Sequence, residues 1–483
     1  MVIGVEYAQS GMAAAFAQLG ISGVKYLPAS FTWDKMQSSN DSAINFAPMD
    51  TFVTEYQNAG FTQLVIGLKP QSSWASVDFN TNPTPKPEYQ GAFQRWVSSI
   101  VERYDKDGLN DMQGLKFPVR YYEAGVEFST YEPESVGDYI NMLSLAHKAA
   151  HEAYSSVMVL NSAFLVTTAF DTDPTPDQYA TSFAAVDPRI MYHSLADILQ
   201  VLDRPDIFDA VDFHALGDAY EIYSTVNWLQ YEMGQRGYTK PIVIGDTVPS
   251  PLASWGPATT CNLAASQMAI MIQPAREADR CRLATFFKQL IAGNQADLAW
   301  TESFVAADMV EKVLIAAERN VALIDTSFME DIPLLTTPLL QAGAGLSAWG
   351  GMAQTTINVF TQAHTVKDLR PSFYAMKQLV GHMGNYTSVS RVATDDPSVF
   401  LYKIVKDGKP VWVAWYRATG LFLPGDSSPS TTVKIAVDAS SMNVEPMVSE
   451  QGQTQPSGST SAAEDGILTL TVGQTPVFIY QSG

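Results

Sequence analysis

The chain has 483 residues and carries 50 acidic against 29 basic side chains, a formal charge of −21. That balance disfavours nucleic acid and anionic membrane surfaces as partners, and the length exceeds what one ordinary domain needs. Charged residues are only 16% and aromatics 11%, which suits an acidic surface of no special purpose and equally a protein whose Trp and Tyr faces stack on sugar rings.

Met1 leads straight into an apolar strand candidate, Ile3 to Tyr7, so an export signal removed ahead of it is expected, with an extracellular or cell-surface location. Short apolar runs then alternate with helix-like segments, the pattern of parallel strands joined by helices. Further strands are predicted at Val24 to Leu27, Gln63 to Leu68, Val119 to Gly125, Val157 to Ser162, Ala210 to His214, Ile242 to Gly245 and Val321 to Thr326. Helices are predicted at Met49 to Ala59, Tyr89 to Tyr104, Ser135 to Ser155, Ala219 to Gly237 and Ala306 to Arg319. Eight strands suit a closed α/β barrel. Thr247 to Ser303 is a long insertion of the kind that shapes an active-site face, and it holds Cys261 and Cys281, which could close a disulfide in an oxidising compartment. After about Val380 the runs Val399 to Val405, Pro410 to Trp415, Thr432 to Val437 and Ile467 to Val472 predict antiparallel strands, with Gln451 to Glu464 as a loop. The expected architecture is a (β/α)8 TIM barrel over residues 1–380 followed by a small antiparallel β-sandwich over 381–483. No run of about 18 apolar residues predicts a membrane span.

The stretch VRYYEAGVEFS puts Glu127 where the fourth strand ends, and KPIVIGDT, in which Ile242, Ile244 and Asp246 have the same parity, puts Asp246 where the seventh ends. Barrels place chemistry at the C-terminal ends of their strands, and cleaving a glycosidic bond takes two carboxyl groups. Taken alone, Glu127 is a site acid or half of a structural ion pair, and Asp246 a site acid or a loop cap.

The strand order and the runs YYEAGVEF, FDAVDFHALGD, KPIVIGDT and ADMVEKVLIAAERNVALIDTS resemble clan A of the glycoside hydrolases over most of the chain. The resemblance implies hydrolysis of β-linked oligo- or polysaccharides, with Glu127 as acid/base and Asp246 as nucleophile, in a retaining or, with a water in the gap, an inverting reaction. Two positions depart from the clan pattern: Val126 stands where an Asn normally binds the sugar 2-hydroxyl, and Asp246 stands for Glu. A catalytically impaired sugar-binding descendant is the alternative.

Further substrate-binding candidates are His214, Glu6, Lys69, Tyr122 and the aromatics Trp33 and Trp74, with Tyr7 on the first strand and Trp255 and Trp349 near the rim as weaker candidates. Only one of His214 and Asp212 is expected to face the barrel interior. Asp325 is expected to be solvated or capping. The absence of HExxH, CxxC, P-loop and GxSxG motifs leaves metallohydrolase, nucleotide and serine-hydrolase chemistry without support, and six scattered histidines predict no metal centre and no cofactor.

Overall fold

Eight parallel strands close into a barrel in the computed structural model, which describes residues 1–26, 31–166, 169, 174–184, 192–248, 261, 276–331, 349–358 and 360–481. They are β1 (Val2–Ala8), β2 (Gly23–Tyr26), β3 (Gln63–Leu68), β4 (Tyr121–Glu127), β5 (Met158–Leu165), β6 (Val211–Ala215), β7 (Ile242–Thr247) and β8 (Leu323–Phe328). Pairing of β1 with both β2 and β8 completes the ring. All eight predicted strands are present with ends moved by a few residues. They were legible because a strand buried on both faces reads as a continuous apolar run.

The barrel interior is layered. Val65, Leu160, Val243 and Leu323 form an apolar plug with Val2, Tyr121 and Met158. Further along the strands the inward positions become ionic, with Lys25, Glu123, Asp212 and Asp325 all buried. Asp325 is thus an interior residue, not a solvated or capping one.

The longer helices surround the barrel: α1 (Ala47–Ala59), α2 (Gln90–Arg103), α3 (Val136–Ala153), α4 (Leu195–Leu202), α5 (Glu221–Gln235), α6 (Glu277–Ile291), α7 (Gln295–Glu318) and α8 (Pro371–Met383). In α3 the Ser135 hydroxyl accepts from the Asp138 amide at the N-terminus, and Tyr139, Met142, Leu143, Ala146, Ala149 and Ala150 are buried at helical spacing. The described part of the insertion after β7 holds helical segments that were not anticipated. It contains α6, and the helix expected to begin at Ala306 begins at Gln295, because Asn294 Oδ1 accepts from the amides of Ala296 and Asp297. Cys261 is bridged to Cys281 of α6.

Two strands not anticipated, β9 (Ala353–Ile357) and β10 (His364–Leu369), form a hairpin ahead of α8. The C-terminal strands are β11 (Tyr386–Val392), β12 (Val399–Lys406), β13 (Lys409–Tyr416), β14 (Thr431–Ala436), β15 (Ser441–Pro446), β16 (Ser459–Ala462), β17 (Ile467–Val472) and β18 (Val477–Tyr480). Six form a sheet in the order β11-β12-β13-β18-β15-β16, and β14 and β17 pair separately. Leu401, Trp412 and Ile479 of the sheet pack on Val433, Ile435 and Leu468 of the pair, which makes a sandwich. Tyr402, Val413 and Trp415, on the sheet's other face, join the core of the barrel, where Trp415 Nε1 donates to the Tyr220 hydroxyl at 2.7 Å. β16 lies inside the stretch expected to be a loop, and α8 runs across position 380. No helix among the described residues is long and apolar enough to cross a membrane.

Candidate active site

Three irregularities in strand pairing lie at the C-terminal ends of barrel strands, between Val5 and Glu6, between Ala124 and Glu127, and between Phe213 and His214. A bulge re-aims the side chains after it. In β4 the turn is taken by Gly125 at φ 114, where a Cβ would meet Ser162 and the Glu132 carboxylate at 2.7–2.8 Å, so only glycine fits. In β7 the reason given by parity does not hold. Ile242 and Ile244 belong to the helix-facing core and Val243 faces inward, so strict alternation would turn Asp246 outward. Because Phe213 pairs with Ile244 and His214 with Asp246, Gly245 is the extra residue, and it brings Asp246 to the interior.

Glu127 ends β4 and its Oε2 lies 2.7 Å from Nδ1 of His214 on β6. Burial pushes the Glu127 carboxyl up to about 8, against the opposing charges of Lys25 and Lys69. Burial also pushes His214 down to about 4, so the imidazole is neutral near pH 7. The neutral imidazole and the protonated carboxyl thus share one hydrogen bond, donated by Nδ1–H or by Oε2–H according to the tautomer. Asp212 faces inward as well, since residues two apart share a face of a strand; its Oδ1 accepts from the Gly245 amide at 2.8 Å.

Asp246 is hydrogen-bonded to Glu6 of β1. Burial and the Asp246 charge hold Glu6 well above the ordinary carboxyl range. Burial raises Asp246 too, but His214, Lys25 and the Glu6 hydrogen bond oppose it. The hydrogen bond between them raises Glu6 and lowers Asp246, so of the two Glu6 keeps its proton to the higher pH. Beneath lies Lys25, whose Nζ is 2.9 Å from Glu123 Oε2 and donates to the Gly245 carbonyl at 2.9 Å.

Of the residues singled out in the sequence, Glu6, His214, Glu127 and Asp246 come together. Lys69 is buried beside them, 3.5 Å from Glu132 Oε1, which also accepts from the Val126 amide at 2.7 Å. Two candidates do not face the cleft. Tyr122 is wholly buried on the side of β4 opposite Glu123, packed toward the helices, because alternation carries its neighbours inward. Trp33 is also wholly buried, against Phe93 and Trp96, and its Nε1 donates to Gln37 at 2.9 Å, so it offers no stacking face. Trp74 is half-buried, edge-on to Trp33, with its indole N–H donated to the Gln37 carbonyl. Trp349 is buried against Phe287, and Trp255 lies outside the described residues.

Sequence reasoning missed Tyr131 and offered Tyr7 only as a weak candidate. Tyr131, half-exposed after β4, has its hydroxyl pushed up to about 12 by burial and by the charges of Glu127 and Asp246. Tyr7 follows Glu6 with φ 58, a conformation that costs a non-glycine residue on the order of 1–3 kcal/mol and that clusters at functional sites. Its ring is held edge-on by Phe328 at 4.4 Å. Only its position just past a strand end, beside the acids, could have signalled Tyr131. Glu132 and Glu134, both buried in the loop after β4, were likewise overlooked, and burial with the Glu132 charge pushes Glu134 up to about 8.

No protein-family model matches the chain, and no curated protein matches it in sequence. Solved structures do. A family 39 glycoside hydrolase from Bacteroides cellulosilyticus WH2 superposes with a TM-score of 0.61 at 12% identity over 99% of this chain and 80% of that one. A glucosidase from Croceicoccus marinus gives 0.57 at 10% identity, covering 99% and 96% of the two chains. A monomeric β-xylosidase from Caulobacter crescentus CB15 gives 0.56 at 12% identity, covering 100% and 96%. At these identities the likeness is one of fold: the chain shares its overall architecture with these glycoside hydrolases.

Proposed function

We propose that the protein is a glycoside hydrolase that cleaves a β-linked oligo- or polysaccharide at the C-terminal face of its barrel, without a cofactor. The observation that carries this reading is the buried Glu127 carboxyl, pushed up to about 8, hydrogen-bonded to His214 and close enough to Asp246 for the two charges to interact. Glu127 donates its proton to the leaving oxygen and later takes one from water. Asp246 attacks the anomeric carbon in a retaining reaction. His214 orients Glu127, and Tyr7 and Tyr131 are close enough to both acids for their charges to raise the tyrosine hydroxyls, which makes them candidates to contact sugar hydroxyls. The same proposal divides the chain after α8, a few residues beyond the expected 380/381, into a barrel that does the chemistry and a sandwich that supports it. The Cys261–Cys281 bridge favours an extracellular or cell-surface setting.

The test is hydrolysis of aryl β-glycosides, with the configuration of the first-formed product followed by NMR. Wild type is expected to turn over, and Glu127→Gln to lose ~10²–10⁴-fold in kcat/KM on substrates with poor leaving groups. Sugar binding with equal, negligible turnover in both proteins would support the second reading, a sugar-binding protein, which the short Asp246 side chain favours.

The pH dependence follows from the same carboxyl. Glu127 must be protonated to act as acid, so kcat/KM falls as the pH rises through about 8. The alkaline limb should be missing from the residual activity of Glu127→Gln.

A further inference from the structure

On the far side of the barrel from these acids, α3 carries the run His147-Lys148-Ala149-Ala150-His151. Residues four apart share a helix face, and the two imidazole rings are 4.4 Å apart between centroids. Both direct Nε2 at one carboxylate. His151 Nε2 is 2.9 Å from Asp209 Oδ2 and His147 Nε2 is 3.4 Å from Asp209 Oδ1. Asp209 is fixed from behind, because its amide donates to the Val159 carbonyl at 2.7 Å and its Oδ2 accepts from the Val159 amide at 2.8 Å. The carboxylate is thereby oriented by groups outside the cluster, as the carboxylate ligands of metal sites are.

We propose that His147, His151 and Asp209 form a site for a zinc-type divalent transition-metal ion, stapling α3 to the N-terminal ends of β5 and β6. One ligand atom from each residue lies within 4.8 Å of the others, and the side chains would draw in around an ion bound at about 2.0–2.2 Å. Two imidazoles and one carboxylate select zinc, cobalt or nickel over magnesium and calcium, which prefer all-oxygen sets. The three side chains are 20–29% exposed, which leaves one side of the ion to water. The site lies at the N-terminal end of the barrel, where residues serve stability more than chemistry, so the ion is structural. The expectation of no metal rested on the scatter of histidines along the chain, and the fold brings two of the six together with an acid 58 residues away from the nearer one.

The test uses the full chain stripped of metal. Wild type is expected to take up one equivalent of Zn²⁺ saturably by calorimetric titration, with a melting temperature raised by a few degrees, and Mg²⁺ should do neither. His147→Gln/His151→Gln should lose that equivalent and the thermal shift. Co²⁺ gives a readout independent of any variant, because a site with two imidazoles produces visible d–d absorption that Zn²⁺ abolishes. No saturable Zn²⁺ uptake and no Co²⁺ band in wild type, or uptake undiminished in the double variant, would overturn the proposal.

Discussion

Lys25→Met is expected to destabilise the protein by about 3–5 kcal/mol near pH 8, the cost of removing one partner from a buried ion pair. Lys25 is 1% exposed, bonded to Glu123 and the Gly245 carbonyl, and its charge also lowers the carboxyls of Glu6, Asp212 and Asp325. Without it the barrel encloses several acids with no cation at its centre. They would respond by holding protons. All are already raised above their unfolded values by burial, so the stability they contribute is present below about pH 4 and is lost as the pH rises through their folded values. The deficit of the variant should therefore be small at pH 5 and large at pH 8. Thermal melts at the two pH values measure it, and Lys25→Met/Glu123→Gln should recover part of the loss at pH 8. A variant as stable as wild type at pH 8 would show that the acids do not depend on this lysine.

That ionic layer was only partly legible in the sequence. Apolar runs located every barrel strand, because burial on both faces leaves little room for anything else, and a lysine inside GVKY was the visible exception. Strand ends were harder. Glu127 and Asp246 were placed at their strand ends by position, but what points Asp246 inward is the extra residue Gly245, and a bulge has no signature in hydrophobic alternation. The insertion after β7 concealed helices because amphipathic segments after an ordinary loop were read as part of one long excursion. Trp33 and Tyr122 show the opposite error. Aromatic residues near strand ends suggest sugar stacking, yet alternation sends Tyr122 to the helix layer and the ring cluster around Trp96 absorbs Trp33.

Asp246 and Glu6 bear on whether the shortened acid still works. If Asp246 is the attacking carboxylate, Asp246→Asn should lower kcat/KM by ~10⁴-fold or more, in the range that loss of a nucleophile costs elsewhere. Glu6 acts through it. As a protonated carboxyl it donates a hydrogen bond that holds the Asp246 oxygen in place and favours its anion. Glu6→Gln keeps a donor of similar length, so it should stay within about 10-fold of wild type. Glu6→Leu removes the donor and adds apolar surroundings, so the Asp246 carboxyl rises further and the acid limb of kcat/KM moves to higher pH, by an amount the profile reads directly. A purely structural role for Glu6 predicts lost stability in both variants with the acid limb unmoved. If Asp246 stands where a longer Glu would otherwise sit, the Glu6 carboxyl hydrogen-bonded to it would occupy the room the missing methylene leaves. The shorter acid is then held by a partner across the β1–β8–β7 edge of the barrel, and the cost of its length falls on reach, which KM and leaving-group dependence report, more than on charge.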